Sequence, residues 1–396
     1  MVRRAWAFDR ESSMIGSTCS SQKKELMGGI GKVEPNHSFP ASVSRGIGLR
    51  RTSIRPRMIA NFAVTYRCDS RCVACNIWKA SESRRQEMDL DEIKSVFVSN
   101  RSFLLDVTSI QLTGGEPFLR PDLPAIVSVI SENLPNCIFW IPTNGMSPLT
   151  VEKTTKEILS ILGGKGLGIS VSIDGIGRIH DKMRGVDGSY TKAVETVRRL
   201  VSLKNNASGL KLSIGMTLTT ENYIELWDVY VLARGLGVEF SFRPVNFSDI
   251  YYKNVGSDLA LKDAFNELIP TVEEIWRDIV KRRGILRTAP TVYYMRGVIR
   301  YIRAPAARRL PCSAGSDSFF LDPEGNVYPC IILNLRMGNV RKEPLEHIWN
   351  SAEAQRARRM IRESLCPGCW VECETFRDIR RDKIGLIFTA VRALFE

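Results

Sequence analysis

From Met58 onward the sequence alternates between two hydrophobic periods, and this alternation limits the possible folds more than any other feature. Runs with the period and apolar content of strands fall at 58–65 (MIANFAVT), 107–113 (VTSIQLT), 137–143 (CIFWIPT), 167–173 (LGISVSI), 210–218 (LKLSIGMTL) and 238–243 (VEFSFR). Helical stretches lie between them, near 89–100, 121–133, 150–162, 189–204 and 222–235. Asp89 followed three residues later by Glu92 spells a capping box, and Ser189 and Asn222 are suited to helix N-caps. Strand and helix in strict turn imply an α/β fold, with a parallel sheet joined by right-handed crossovers into an open sheet or a barrel.

The alternation stops after Pro244. Helical stretches at about 259–283 and 291–303 lead into a cysteine-bearing segment from Cys312 to Cys373, and a last helix is expected at about 377–395. That helix places Ile384, Ile387, Phe388, Val391, Leu394 and Phe395 on one face, which is expected to pack on the protein's own domain, the alternative being to lie on a membrane surface. Charge is uneven along the chain. Residues 1–57 hold eleven Lys/Arg against four Asp/Glu, and residues 277–309 hold ten against one. Residues 1–57, rich in Gly, Ser and Arg, read as a basic and poorly ordered extension. The basic segment 277–309 interleaves Tyr293, Tyr294 and Tyr301, so contact with nucleic acid or a membrane surface is an alternative to a solvated helix face. No run approaches the roughly 20 apolar residues of a membrane span, and the first residues are not patterned as a secretory signal. A cytoplasmic, reducing location is expected.

Eight of the ten cysteines fall in two close-spaced groups; Cys19 and Cys137 stand apart. In a reducing compartment, such clusters bind metal more often than they pair. The first group, Cys68, Cys72 and Cys75, follows directly on the first strand as Cys-x3-Cys-x2-Cys. Three thiolates on one turn hold three irons of a 4Fe–4S cube and leave the fourth iron open. The alternative, a structural zinc site, needs a fourth ligand, and no Cys or His lies nearby in sequence.

This segment resembles the radical S-adenosylmethionine superfamily, and further motifs carry the resemblance. The second strand ends in Gly114-Gly115-Glu116-Pro117, similar to the family's glycine–glycine–glutamate–proline motif, which meets the methionine ammonium of the cofactor. Ser172 and Asp174 at the fourth strand end, and Arg184 beyond them, resemble the family segment that holds the cofactor's carboxylate or ribose. Asn144, within Thr143-Asn144-Gly145, sits at another strand end, as does Arg243 before Pro244. One position departs from the pattern. Many members carry an aromatic residue before the third cysteine, but here it is Ala74; Trp78 is a substitute or a core residue. The resemblance covers about 58–245 and implies a partial (β/α)6 TIM-like barrel with its site at the C-terminal strand ends.

The second group is Cys312, Cys330 and the run Cys366-Pro367-Gly368-Cys369-Trp370-Val371-Glu372-Cys373. With Gly325 five residues before Cys330, it resembles the SPASM/twitch extension that binds auxiliary iron–sulphur clusters. Five cysteines ligate one four-thiolate cluster with one spare, so a single auxiliary 4Fe–4S cluster is expected. Which of Cys366, Cys369 and Cys373 is spare stays open, as does a zinc ribbon. The expected organisation is a core over 58–245, a helical basic linker over 246–305, a cluster domain over 306–376 and an amphipathic helix over 377–396.

The resemblance implies an enzyme that reductively cleaves S-adenosylmethionine, forms a 5′-deoxyadenosyl radical and takes a hydrogen atom from its substrate. The substrate is a peptide or protein, or alternatively a small molecule or lipid. The electron would come from a donor such as flavodoxin or ferredoxin. A non-enzymatic alternative is an iron–sulphur or zinc protein that senses redox state. The Gly114–Pro117 and Ser172/Arg184 segments speak against it, since a sensor needs no cofactor cradle.

Overall fold

A computed structural model describes residues 58–80, 87–261, 264–305 and 310–395, all within one compact unit. The extension expected over 1–57 lies outside the described residues. Six strands form the core: β1 (Met58–Thr65), β2 (Val107–Gly114), β3 (Ile138–Thr143), β4 (Leu167–Ser172), β5 (Leu210–Leu218) and β6 (Glu239–Pro244). Each pairs in parallel with the one before it. Between β1 and β2 run α1 (Leu90–Ser99) and α2 (Arg101–Leu104). The later crossovers are α3 (Leu123–Asn133), α4 (Pro148–Leu162), α5 (Arg178–Arg184) with α6 (Ser189–Asn206), and α7 (Leu226–Gly235).

Local chemistry sets these boundaries. The capping box at α1 is formed: the Glu92 amide donates to Asp89 Oδ1 at 2.8 Å, and the Asp89 amide to Glu92 Oε2 at 3.1 Å. Ser189 differs from expectation, because Gly188 takes the N-cap position and the Ser189 hydroxyl donates to Asp181 at 2.8 Å. Asn222 precedes a 3-10 turn into α7, but its side chain accepts from the Thr219 amide at 2.8 Å instead of capping that turn.

The strands follow one another from β1 to β6 without reversal. Right-handed crossovers repeated without reversal put every helix on one face, where α1, α3, α4 and α6 pack side by side, and curl the sheet. The result is an open (β/α)6 barrel. Its outer face buries the main core, including Ile93, Phe97, Ile126, Ile130, Ile158 and Leu200. Its inner face carries Asn61, Gln111, Trp140, Ser170, Ser213 and Ser241. Closed barrels fill this space with branched apolar side chains. Here a largely polar inner face leaves a bore of about 1600 Å³.

Beyond β6 the chain is irregular as far as Leu261, including the first part of the segment expected as a helical linker. Then α8 (Phe265–Arg283) and α9 (Ile285–Arg303) fold back on each other at Gly284. β7 (Ser318–Leu321) pairs in parallel with β1, and β8 (Asn326–Tyr328) and β9 (Gly338–Asn339) follow antiparallel. The C-terminal module thus extends the barrel's own sheet past β1. It continues through α10 (Leu345–Asn350) and α11 (Ala352–Arg362).

The single last helix expected from the sequence is two, α12 (Glu372–Arg381) and α13 (Lys383–Phe395). Asp382 breaks it with ψ 75°, and its carboxylate accepts from the Gly385 amide at 2.9 Å and the Tyr293 hydroxyl at 2.6 Å. α12 crosses the open side of the barrel. Glu372 pairs with Arg243 of β6 at 3.3 Å, while Arg377 donates to the Asp317 carbonyl at 2.8 Å and to Ser318 Oγ of β7 at 3.2 Å. In α13 the apolar face expected to pack inward is turned outward, because Thr389 and Ala393 are the residues buried. Among the described residues no helix is long and apolar enough to cross a membrane.

Candidate functional site

β1 ends at Thr65, and two neighbours fix how the chain leaves it. Glu87 accepts from the Thr65 hydroxyl at 3.0 Å and the Tyr66 amide at 2.7 Å. From β2, the Gly115 amide donates to the Thr65 carbonyl and the Glu116 amide to the Arg67 carbonyl, both at 2.8 Å. A Cβ on Gly114 would stand 2.1 Å from Thr65 O, and one on Gly115 2.1 Å from Arg67 O. Only glycine permits that approach, so the pair is needed to dock β2 against the loop.

The loop from Cys68 to Cys75 is then held on two sides. The Arg71 and Val73 amides donate to the carbonyls of Arg184 and Met183 at 2.8 and 2.9 Å. Asn254 Nδ2 donates to the Ala74 carbonyl at 2.9 Å, and the Asn76 amide to the Tyr252 carbonyl at 2.7 Å. Cys68, Cys72 and Cys75 therefore line one end of the bore, beside the C-terminal strand ends. Burial pushes the Cys68 and Cys75 thiols up to about 12, and the charge of Cys72 adds to both. Cys72 is raised by burial too, against the pull of Arg184. Thiols so crowded and dry ionise readily only when a cation compensates them.

Seven of the eight residues expected to cradle a cofactor line the bore: Gly114, Gly115, Glu116, Asn144, Ser172, Asp174 and Arg184. Pro117 does not; it starts a 3-10 turn, Pro117–Leu119. Glu116 is 3% exposed and accepts from the Thr143 hydroxyl at 2.9 Å and the amides of Asn144 and Phe118 at 2.7 and 3.1 Å. Burial raises its carboxyl to about 7 although these bonds oppose the shift. Asn144 Nδ2 donates to Asp69 at 2.6 Å and to Ser70 at 2.9 Å, and lies 4.0 Å from Cys68 Sγ. Arg184 forms a buried ion pair with Asp174 at 2.7 Å and reaches Cys72 Sγ at 3.7 Å. Its Nε is buried without a partner.

Trp78 is not a core residue. It is half-buried, lines the bore, and has the Arg71 guanidinium 4.7 Å from its ring centre. Sequence reading missed Tyr251 and Asn254. The Tyr251 hydroxyl shares a 2.6 Å hydrogen bond with Thr113 and donates to the Gly114 carbonyl at 3.2 Å. Both residues sit on irregular chain, where no periodicity marks a role; their place just after the last barrel strand was the one available cue.

The second cysteine group gathers around the β7–β8 hairpin. Cys312 precedes β7, Cys330 follows β8, Cys366 and Cys369 lie after α11, and Cys373 is in the first turn of α12. All five join one apolar cluster with Ile331, Ile332 and Leu333, and Cys75 of the first group borders the same cluster. Burial raises Cys330, with Cys369 the next cause and Cys312 a smaller one, and burial raises Cys373 as well. Of Cys366, Cys369 and Cys373, Cys373 is the one that lines the bore. Among the described residues, no three His, Cys, Asp or Glu side chains are grouped to hold a single metal ion.

Comparison with known proteins agrees with this geometry. The family model of the radical SAM superfamily matches residues 62–233, and that of SPASM, an iron–sulphur cluster-binding domain, matches 312–374. The chain is 26% identical over 352 residues to an AdoMet-dependent heme synthase of Methanosarcina barkeri, across 79% of this chain and 91% of that protein. It is 25% identical over 338 residues to the antilisterial bacteriocin subtilosin biosynthesis protein AlbA of Bacillus subtilis, across 79% of this chain and 67% of that one. Its fold is similar to that of Streptococcus suis SuiB bound to S-adenosylmethionine, with a TM-score of 0.54 and 15% identity, covering 78% of this chain and 68% of SuiB.

The open barrel with thiols at its C-terminal strand ends is the part of the chain that the radical SAM family model matches, so the chain carries a radical SAM domain. Its C-terminal module is a SPASM iron–sulphur domain. The cofactors are a 4Fe–4S cluster and S-adenosylmethionine, with auxiliary iron–sulphur binding in the C-terminal module. The donor set fits them: soft thiols, mostly half-buried, with a guanidinium beside one sulphur to offset charge.

Proposed function

We propose that this enzyme is maturase-like and takes a hydrogen atom from a peptide held in the bore. Cys68, Cys72 and Cys75 ligate the radical cluster, and four of Cys312, Cys330, Cys366, Cys369 and Cys373 ligate one auxiliary 4Fe–4S cluster. The Gly114 and Gly115 carbonyls and Glu116 receive the cofactor's ammonium, while Ser172 and Arg184 hold its carboxylate or ribose. Asn144 and Asp174 keep those partners in register, Asn144 through the cluster loop and Asp174 through Arg184. With both bound, the cluster and S-adenosylmethionine supply a 5′-deoxyadenosyl radical. α12 shuts the seam between β6 and β7, which shields the bore from water on that side. A low-potential donor of the flavodoxin or ferredoxin class provides the electron, in a reducing cytoplasm.

The observation that carries the peptide reading is the bore itself. Its Ser, Asn and Gln side chains, spaced along parallel strands, offer donors and acceptors suited to successive amides. A second reading, a small-molecule substrate, is favoured by the likeness to AdoMet-dependent heme synthase. If a short peptide is encoded beside this gene, that peptide produced fully deuterated tests the choice. Deuterium should appear in 5′-deoxyadenosine and the peptide should lose that deuterium by mass. Cofactor turnover with no deuterium transfer would contradict the peptide reading.

A further inference from the structure

α13 shows solvent the face that a helix normally buries. Ile384, Ile387, Phe388, Val391, Leu394 and Phe395 are 70, 64, 72, 48, 67 and 86% exposed. At 100° per residue they fill one stripe of roughly 120°. The opposite stripe, Gly385, Thr389 and Ala393 at four-residue spacing, contains the helix's buried residues, and the helix packs on α9. Small side chains on the packed side and large ones on the open side reverse the usual order of a helix that completes a core. So large a contiguous apolar patch marks an interaction surface.

The charges around that stripe indicate what covers it. α9 and α13 carry Arg287, Arg296, Arg300, Arg303, Lys383 and Arg392 and no carboxylate. All of these except Arg296 are exposed. A groove on another protein would satisfy the apolar stripe without any need for exposed cations beside it. An anionic bilayer satisfies both, since apolar side chains enter the acyl boundary while cations meet the headgroup phosphates. A helix with its large apolar residues gathered on one stripe is suited to lie in the surface plane of such a bilayer. We infer that α13, with the basic α9 beneath it, docks this enzyme on an anionic lipid surface.

Flotation of the full-length protein with vesicles tests this. It should float with equimolar phosphatidylcholine and phosphatidylglycerol, bind phosphatidylcholine alone about tenfold or more less well, and be released by added salt. Phe388→Asp with Leu394→Asp should cut binding about tenfold or more, with S-adenosylmethionine cleavage unchanged. Both positions are exposed, so the fold tolerates the charges. Lys383→Glu with Arg392→Glu should weaken binding to the anionic vesicles alone. Failure of the wild-type protein to float with either vesicle would overturn the inference. So would flotation that survives the double aspartate variant. A concentration-dependent dimer that forms without vesicle binding and is dissolved by Phe388→Asp would assign the face to a second copy of the chain instead.

Discussion

Arg184 shows how one side chain can be legible by type and yet not by partner. Its guanidinium marks it for a carboxylate, but in the folded chain it already holds Asp174 at 2.7 Å and touches Cys72. Both members of the pair are largely buried, at 12% and 7% exposed. Arg184→Met therefore strands a buried carboxylate, which typically costs about 3–5 kcal/mol of stability. Urea denaturation checks this, and wild-type stability would leave Arg184 as a cofactor contact alone. The cysteines were readable because a thiolate cluster demands a spacing that chance seldom produces. Glu116 was readable as a motif, yet its bonds to Thr143 and Asn144 were not, since they join residues 27 and 28 positions away. Tyr251 and Asn254 gave no periodic signal, because their roles rest on hydrogen bonds to the backbone of Gly114 and Ala74.

At the level of elements, the strands were the most legible part, with β1 and β5 falling on the expected limits. Most strands alternate apolar residues for the outer core with polar residues for the bore, and a two-residue period is hard to mistake. The end of the chain was not legible in the same way. Residues 377–395 have helical period throughout, so the break at Asp382 depends on Tyr293, a residue 89 positions earlier. The outward turn of α13 follows from where α12 is anchored, which local periodicity does not encode. That anchor is a buried network. Glu374, 1% exposed, accepts from the Ser318 hydroxyl at 2.9 Å and pairs with Arg377. Glu374→Ala should cost about 3–5 kcal/mol, because Arg377 then keeps a buried charge without its carboxylate. Glu374→Gln, which keeps the hydrogen bond from Ser318, should cost less. Equal losses from both variants would show that packing and not charge holds α12.

Across the whole molecule, the C-terminal module was expected as an addition to the barrel, but β7 lies directly on β1 and makes one sheet of nine strands. Pairing across more than 250 residues leaves no trace in local sequence. Because Cys75 borders the apolar cluster of the second group, both cysteine groups belong to one connected interior. Two cubes predict about eight iron and eight sulphide per chain. Cys312→Ala or Cys330→Ala should remove about half, and one of Cys366, Cys369 and Cys373 should prove dispensable. Zinc without iron in a Cys68/Cys72/Cys75 triple alanine variant would make the C-terminal module a ribbon. The radical chemistry itself is tested most directly by turnover. Purified without oxygen and reduced, the protein should convert S-adenosylmethionine to 5′-deoxyadenosine and methionine. Cys68→Ala, Cys72→Ala and Cys75→Ala should each abolish that conversion, whereas turnover persisting in all three would contradict the account.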